Sequence, residues 1–70
     1  MKGYKKIGEK IKFYRKQKGF SSIEFAKLCN ISTLTLERIE NGEIVYEMET
    51  LEVFANILNI PLPCLLDFEN

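Results

Sequence analysis

Seventy residues allow one domain with one small core, and a chain this short buries only about 60% of its unfolded surface, which excludes a two-domain enzyme. Hydrophobic residues at 46% and charged residues at 29% fit a folded soluble domain and exclude a disordered or collagen-like chain. The formal charge of zero hides an asymmetry: residues 1–18 carry eight of the ten Lys and Arg against one acid, Glu9, for a net +7, whereas 19–70 carry Lys27 and Arg38 against nine acids, for a net −7.

Helix signals recur along the whole chain, and no stretch alternates apolar and polar residues long enough for a strand, so the chain reads all-α. Ile7, Ile11 and Tyr14 form the apolar face of a first helix, with Lys5, Lys12 and Lys16 on another face and Gly19 as its stop. Ser21 and Glu24 have the spacing of a capping box, which starts a second helix. Phe25, Ala26 and Cys29 are its buried stripe, and Asn30 tolerates the left-handed conformation that ends it. Ser32 is the N-cap of a short third helix whose Leu36 and Ile39 face inward and which Asn41-Gly42 terminates. Residues 43–47 form a loop. Leu51, Phe54, Ala55 and Leu58 resume a helical stripe, stopped by Asn59 and Pro61, and a final short helix is expected over 63–68.

Two short helices joined by a tight turn are the helix-turn-helix signature, here at about residues 21–42, whose second helix enters the DNA major groove. The segment from Phe20 through Ser21, Glu24, Ala26, Asn30, Ser32, Leu36 and Ile39 to Gly42 resembles the phage-repressor and Cro (Xre-like) DNA-binding family without a gap. Residues 7–19, 49–60 and 61–66 are similar to that family's first, fourth and fifth helices. The resemblance implies a five-helix bundle of the lambda-repressor-like type spanning 1–70, cytoplasmic, with double-stranded DNA as partner and a homodimer as the binding species. It also implies an ion pair between Arg15 and Glu40 that orients the third helix, the alternative being two solvated charges.

Helical geometry puts Thr33, Leu34, Glu37, Arg38 and Asn41 opposite Leu36 and Ile39. Arg38 can fork onto guanine, Thr33 can hydrogen-bond and Leu34 can cover a thymine methyl. Glu37 either accepts from a cytosine amine or is neutralised by Arg38. Lys5, Lys6, Ser21, Ser22 and Asn41 are the expected phosphate contacts. The family's basic loop after the third helix is replaced by Glu43-Ile44-Val45-Tyr46-Glu47, which removes phosphate neutralisation and sets Ile44, Val45 and Tyr46 as a contact surface. Phe13 and Ile23 enlarge the apolar surface, and Leu62, Leu65, Leu66 and Phe68 are expected at the dimer contact.

With no His, no Gly-rich phosphate loop and no paired carboxylates in an evident pocket, an enzyme is not expected. Cys29 and Cys64 lack metal-ligand spacing and read as core thiols, a single disulfide being the alternative, so neither metal nor cofactor is expected. No run approaches the roughly 18 apolar residues of a membrane span, and the lysine-rich start lacks a signal-peptide core. Three readings stand side by side: a sequence-specific DNA-binding regulator; a degenerate helix-turn-helix domain used as a protein-interaction module, antirepressor or antitoxin-like, with its protein partner at the loop after the third helix; and the N-terminal part of a longer regulator.

Overall fold

A computed structural model describes residues 2–66, with side chains from Gly3 onward. Five helices follow in chain order: α1 (Lys2–Gln17), α2 (Ser22–Leu28), α3 (Thr33–Glu40), α4 (Met48–Leu58) and α5 (Pro63–Leu66). Among the described residues there is no strand, and no helix is long and apolar enough to cross a membrane.

All four longer helices end the same way. Gly19, Asn30, Gly42 and Asn59 have φ of 84°, 61°, 74° and 58°, the left-handed conformation that turns a chain out of a helix. Each donates its N–H to the carbonyl three residues back, and the next residue donates to the carbonyl five residues back: Phe20 to Arg15 at 3.1 Å, Ile31 to Ala26 at 3.0 Å, Glu43 to Arg38 at 2.9 Å and Ile60 to Ala55 at 3.0 Å. These paired bonds satisfy carbonyls that a helix end otherwise leaves open. Phe20, Ile31 and Ile60 then fold back as partly buried apolar residues against the core. At the other ends, Ser21 and Glu24 form the complete capping box, at 3.0 and 3.1 Å, and Ser32 accepts from the Thr35 N–H at 3.0 Å.

The core joins Ile7 and Ile11 of α1, Phe25 and Ala26 of α2, Leu36 and Ile39 of α3, Leu51, Phe54, Ala55 and Leu58 of α4, Leu65 of α5 and the thiol of Cys29. Phe20, Phe25 and Phe54 run through it as a chain of tilted rings with centroids 5.7 and 5.5 Å apart. Both cysteines are free, and burial pushes the Cys29 thiol up to about 11. α3 rests on α1 at Gly8, where an added Cβ would overlap the carbonyl oxygens of Ile39 and Glu40. Only a residue without a side chain permits so close a crossing.

Two expectations need correction. The first helix begins at Lys2 instead of near Ile7, because its opening turn packs under the loop after α3. The Tyr4 and Tyr46 rings meet edge to face at 4.9 Å, the Tyr4 hydroxyl donates to the Tyr46 carbonyl at 3.4 Å, and a Cβ on Gly42 would lie 2.6 Å from Lys5 Cα. Leu65, expected at a dimer contact, is fully buried. α5 packs against α1 and uses that side chain to close the molecule's own core, so it cannot meet a second copy. Leu62 and Leu66 pack partly buried against the same core. Phe68, the remaining residue expected at that contact, lies outside the described residues.

Candidate nucleic-acid interface

α3 is held to α1 by one charged pair inside the protein. Arg15 donates from Nε to Glu40 Oε2 at 2.7 Å and from Nη2 to Oε1 at 3.2 Å, while its Nη1 donates to the Phe20 carbonyl at 2.9 Å. Arg15 is 5% exposed and Glu40 7%. The planar fork matches both carboxylate oxygens at once, so it fixes the rotation of α3 as well as its distance. A single guanidinium thereby ties together α1, α3 and the turn into α2.

With Leu36, Ile39 and Glu40 turned inward, the outer ridge of α3 is Leu34, Arg38 and Asn41, with Glu37 on the edge nearer α1. All four are exposed, Leu34 by 57%, and Thr33 at the helix start is half-buried. Thr35 is engaged locally, its hydroxyl 2.8 Å from that of Ser32.

Beside this ridge lies a cleft of about 400 Å³ lined by Lys12, Arg15 and Lys16 of α1, Ser22 of α2 and Glu37, Glu40 and Asn41 at and beyond the end of α3. Sequence reasoning put Lys12 and Lys16 on one face with Lys5 yet gave a role only to Lys5. The signal was available: Lys12 and Lys16 flank Arg15 at i−3 and i+1, so a helix paired to α3 through Arg15 must present both beside α3. Lys5 is exposed on the same side, its backbone against Gly42. Lys6 is exposed, Ser21 is exposed at its cap and Ser22 is half-buried. Among the described residues no group of His, Cys, Asp or Glu could hold a metal ion.

The loop after α3 divides. Ile44 and Tyr46 turn inward against the core, and Val45 alone of the three points out, 71% exposed. The Tyr46 hydroxyl is buried without a hydrogen-bond partner, and burial, reinforced by Tyr4, pushes it up to about 12. Phe13 and Ile23 are exposed, as their sequence positions suggested.

The helix-turn-helix family model matches residues 11–63, three quarters of the chain and all of the α2–turn–α3 unit. The chain belongs to the Xre-like helix-turn-helix family. Among its relatives, the ImmF control region 10 kDa protein of Bacillus phage phi105 is 38% identical over 58 residues, which cover 83% of this chain and 64% of that protein, so the chain spans less than two thirds of its length. The fold is shared with the restriction-modification controller protein C.AhdI of Aeromonas hydrophila, at TM-score 0.85 and 22% identity over 91% of this chain and 93% of that one. The clp gene regulator ClgR of C. glutamicum superposes at TM-score 0.85 and 22% identity over 90% and 82%, and the DNA-binding domain of BldD at 0.84 and 20% over 94% and 96%.

Proposed function

We propose that this Xre-like protein is a cytoplasmic, sequence-specific DNA-binding transcriptional regulator of the Cro and phage-repressor type, acting as a homodimer with α3 in the major groove. The observation that carries the reading is the α3 ridge of Leu34, Arg38 and Asn41, locked in orientation by the buried Arg15–Glu40 fork and flanked by Lys5, Lys12 and Lys16. The regulator and controller roles named for ClgR and C.AhdI, the ImmF control region named for the phage protein, and the DNA-binding domain of BldD support it.

In this reading Thr33, Leu34, Glu37 and Arg38 meet base edges, Arg38 by forking onto guanine, while Lys5, Lys6, Ser21, Ser22 and Asn41 hold phosphates. Lys12 and Lys16 join the phosphate set. The protein-module alternative draws on the exposed carboxylates Glu43 and Glu47, which oppose a DNA backbone, but Ile44 and Tyr46 are spent on the core, and Val45 is what the loop retains as an apolar contact. The same principle of positioning against specifying residues gives the test. Titrating duplex DNA at about 50 and 200 mM salt should show affinity that falls steeply with salt. Arg38→Ala should cost about 1–3 kcal/mol on a preferred site, whereas Lys5→Ala weakens all sequences alike. A flat titration at the lower salt overturns the reading.

A further inference from the structure

Glu37 is the residue of α3 that fits a DNA contact least well, and its surroundings account for it. Five charged side chains line the cleft: Lys12, Arg15, Lys16, Glu37 and Glu40. Arg15 and Glu40 satisfy one another through their two-bond fork, so the charges left to act on an incoming anion are Lys12 and Lys16 against Glu37. The cleft therefore has a net charge of +1 with Glu37 present and +2 without it. Ser22 and Asn41 add neutral donors on its rim. Arg38, the neighbour expected to neutralise Glu37, does not line the cleft, and consecutive residues on a helix do not face each other.

We propose that Glu37 is the resident counter-charge of this cleft, a specificity-determining residue that competes with a phosphate oxyanion for Lys12 and Lys16. A duplex of arbitrary sequence must seat its phosphate against that carboxylate and binds weakly. A duplex offering an amine donor where Glu37 reaches the groove, such as cytosine N4, draws the carboxylate onto a base and frees both lysines for the backbone. One residue thus lowers binding to wrong sequences and raises it on the right one. The consequence for DNA rests on the regulator reading above; the competition within the cleft does not.

The experiment has two arms. Inorganic phosphate is titrated into the wild type, Glu37→Gln and Lys12→Gln/Lys16→Gln proteins, with and without Glu37→Gln, following the backbone amide signals of Ser22 and Asn41. Glu37→Gln should bind phosphate about two- to fivefold more tightly than wild type, the range of one exposed ion pair, and should gain little when both lysines are gone. In the duplex arm, Glu37→Gln should bind random-sequence DNA more tightly, steepen the dependence of log affinity on log salt by about one unit, and lose preference at one base pair. An unchanged phosphate affinity, no response in any of the proteins, or an equal gain in the lysine-free background overturns the proposal. A positive phosphate arm with flat duplex titrations overturns the DNA-binding reading and leaves the cleft competition standing.

Discussion

Arg15 makes three hydrogen bonds from inside the protein, two to Glu40 and one to the Phe20 carbonyl, so removing it exposes two partners to loss at once. Arg15→Ala should destabilise by about 3–5 kcal/mol because it strands a buried carboxylate, and Arg15→Met with Glu40→Leu should recover most of that loss by leaving no charge behind. Urea unfolding of Arg15→Met, Glu40→Leu and the double mutant closes the cycle, and purely additive losses would show that the pair is not coupled. Tyr46 presents the opposite case. Its hydroxyl is buried with no partner, so Tyr46→Phe should raise stability at neutral pH by about 1 kcal/mol, the lower range for an unsatisfied buried polar group. The alkaline limb has a definite sign: a phenol raised from 10.0 to about 12 in the folded state leaves stability intact below pH 10 and removes it as pH climbs toward 12. The Cys29 thiol, raised from 9.0 to about 11, acts in an overlapping window, so the difference between wild type and Tyr46→Phe isolates the tyrosine. Parallel alkaline curves for the two proteins would count against this account.

α1 and α3 cross backbone against carbonyl at Gly8, and the crossing sets the position of the whole helix-turn-helix unit. Gly8→Ala should cost about 1–3 kcal/mol in urea unfolding, although alanine favours an isolated helix, because tertiary overlap outweighs helix propensity here. An unchanged midpoint would show that the two helices can move apart freely. Helix ends were legible in the sequence because their chemistry is local: Ser21 with Glu24, Ser32, Asn30, Asn59, Gly19 and Gly42 each act through bonds to residues within five positions. The core stripe was legible for the same reason, since Phe25, Leu36, Phe54 and Leu58 declare a helical period. The start of α1 was not, because Gly3 and the lysines around Tyr4 show no apolar stripe and the turn is ordered from outside by Tyr46 and Gly42. Nor was the inward course of Ile44 and Tyr46, or of Leu65: three adjacent apolar residues in a loop carry no sign of which two the core will take and which one it will leave out. On the α3 face, Leu34, Arg38 and Asn41 followed from the wheel alone, whereas the role of Lys12 and Lys16 required knowing how α1 lies beside α3.

The described residues carry a single α3 on a Cα trace of 29 × 23 × 20 Å, whereas successive major-groove faces of B-DNA lie roughly 34 Å apart. In the proposed reading one copy places its one α3 in one half-site, and occupancy of two in register calls for a second copy. With Leu65 committed to the interior, Leu62 and Leu66, both half-buried, are the described C-terminal leucines left to join it. Sedimentation should report association rising toward a concentration of about 100 μM, well above a micromolar dissociation constant, with Leu66→Lys shifted toward monomer and weakened on DNA in step. A wild type that stays monomeric at that concentration contradicts the expectation. Below the scale of assembly, the crossing at Gly8 leaves α3 no slack. Its last turn is braced twice, by the carbonyl contact of Ile39 and Glu40 with Gly8 and by the Arg15 fork on Glu40, so docking onto a rigid partner demands little loss of main-chain entropy. The ordering penalty then falls on long surface side chains such as Lys16 and Arg38, and improved variants should differ from the parent in how slowly they let go, with arrival rates nearly unchanged.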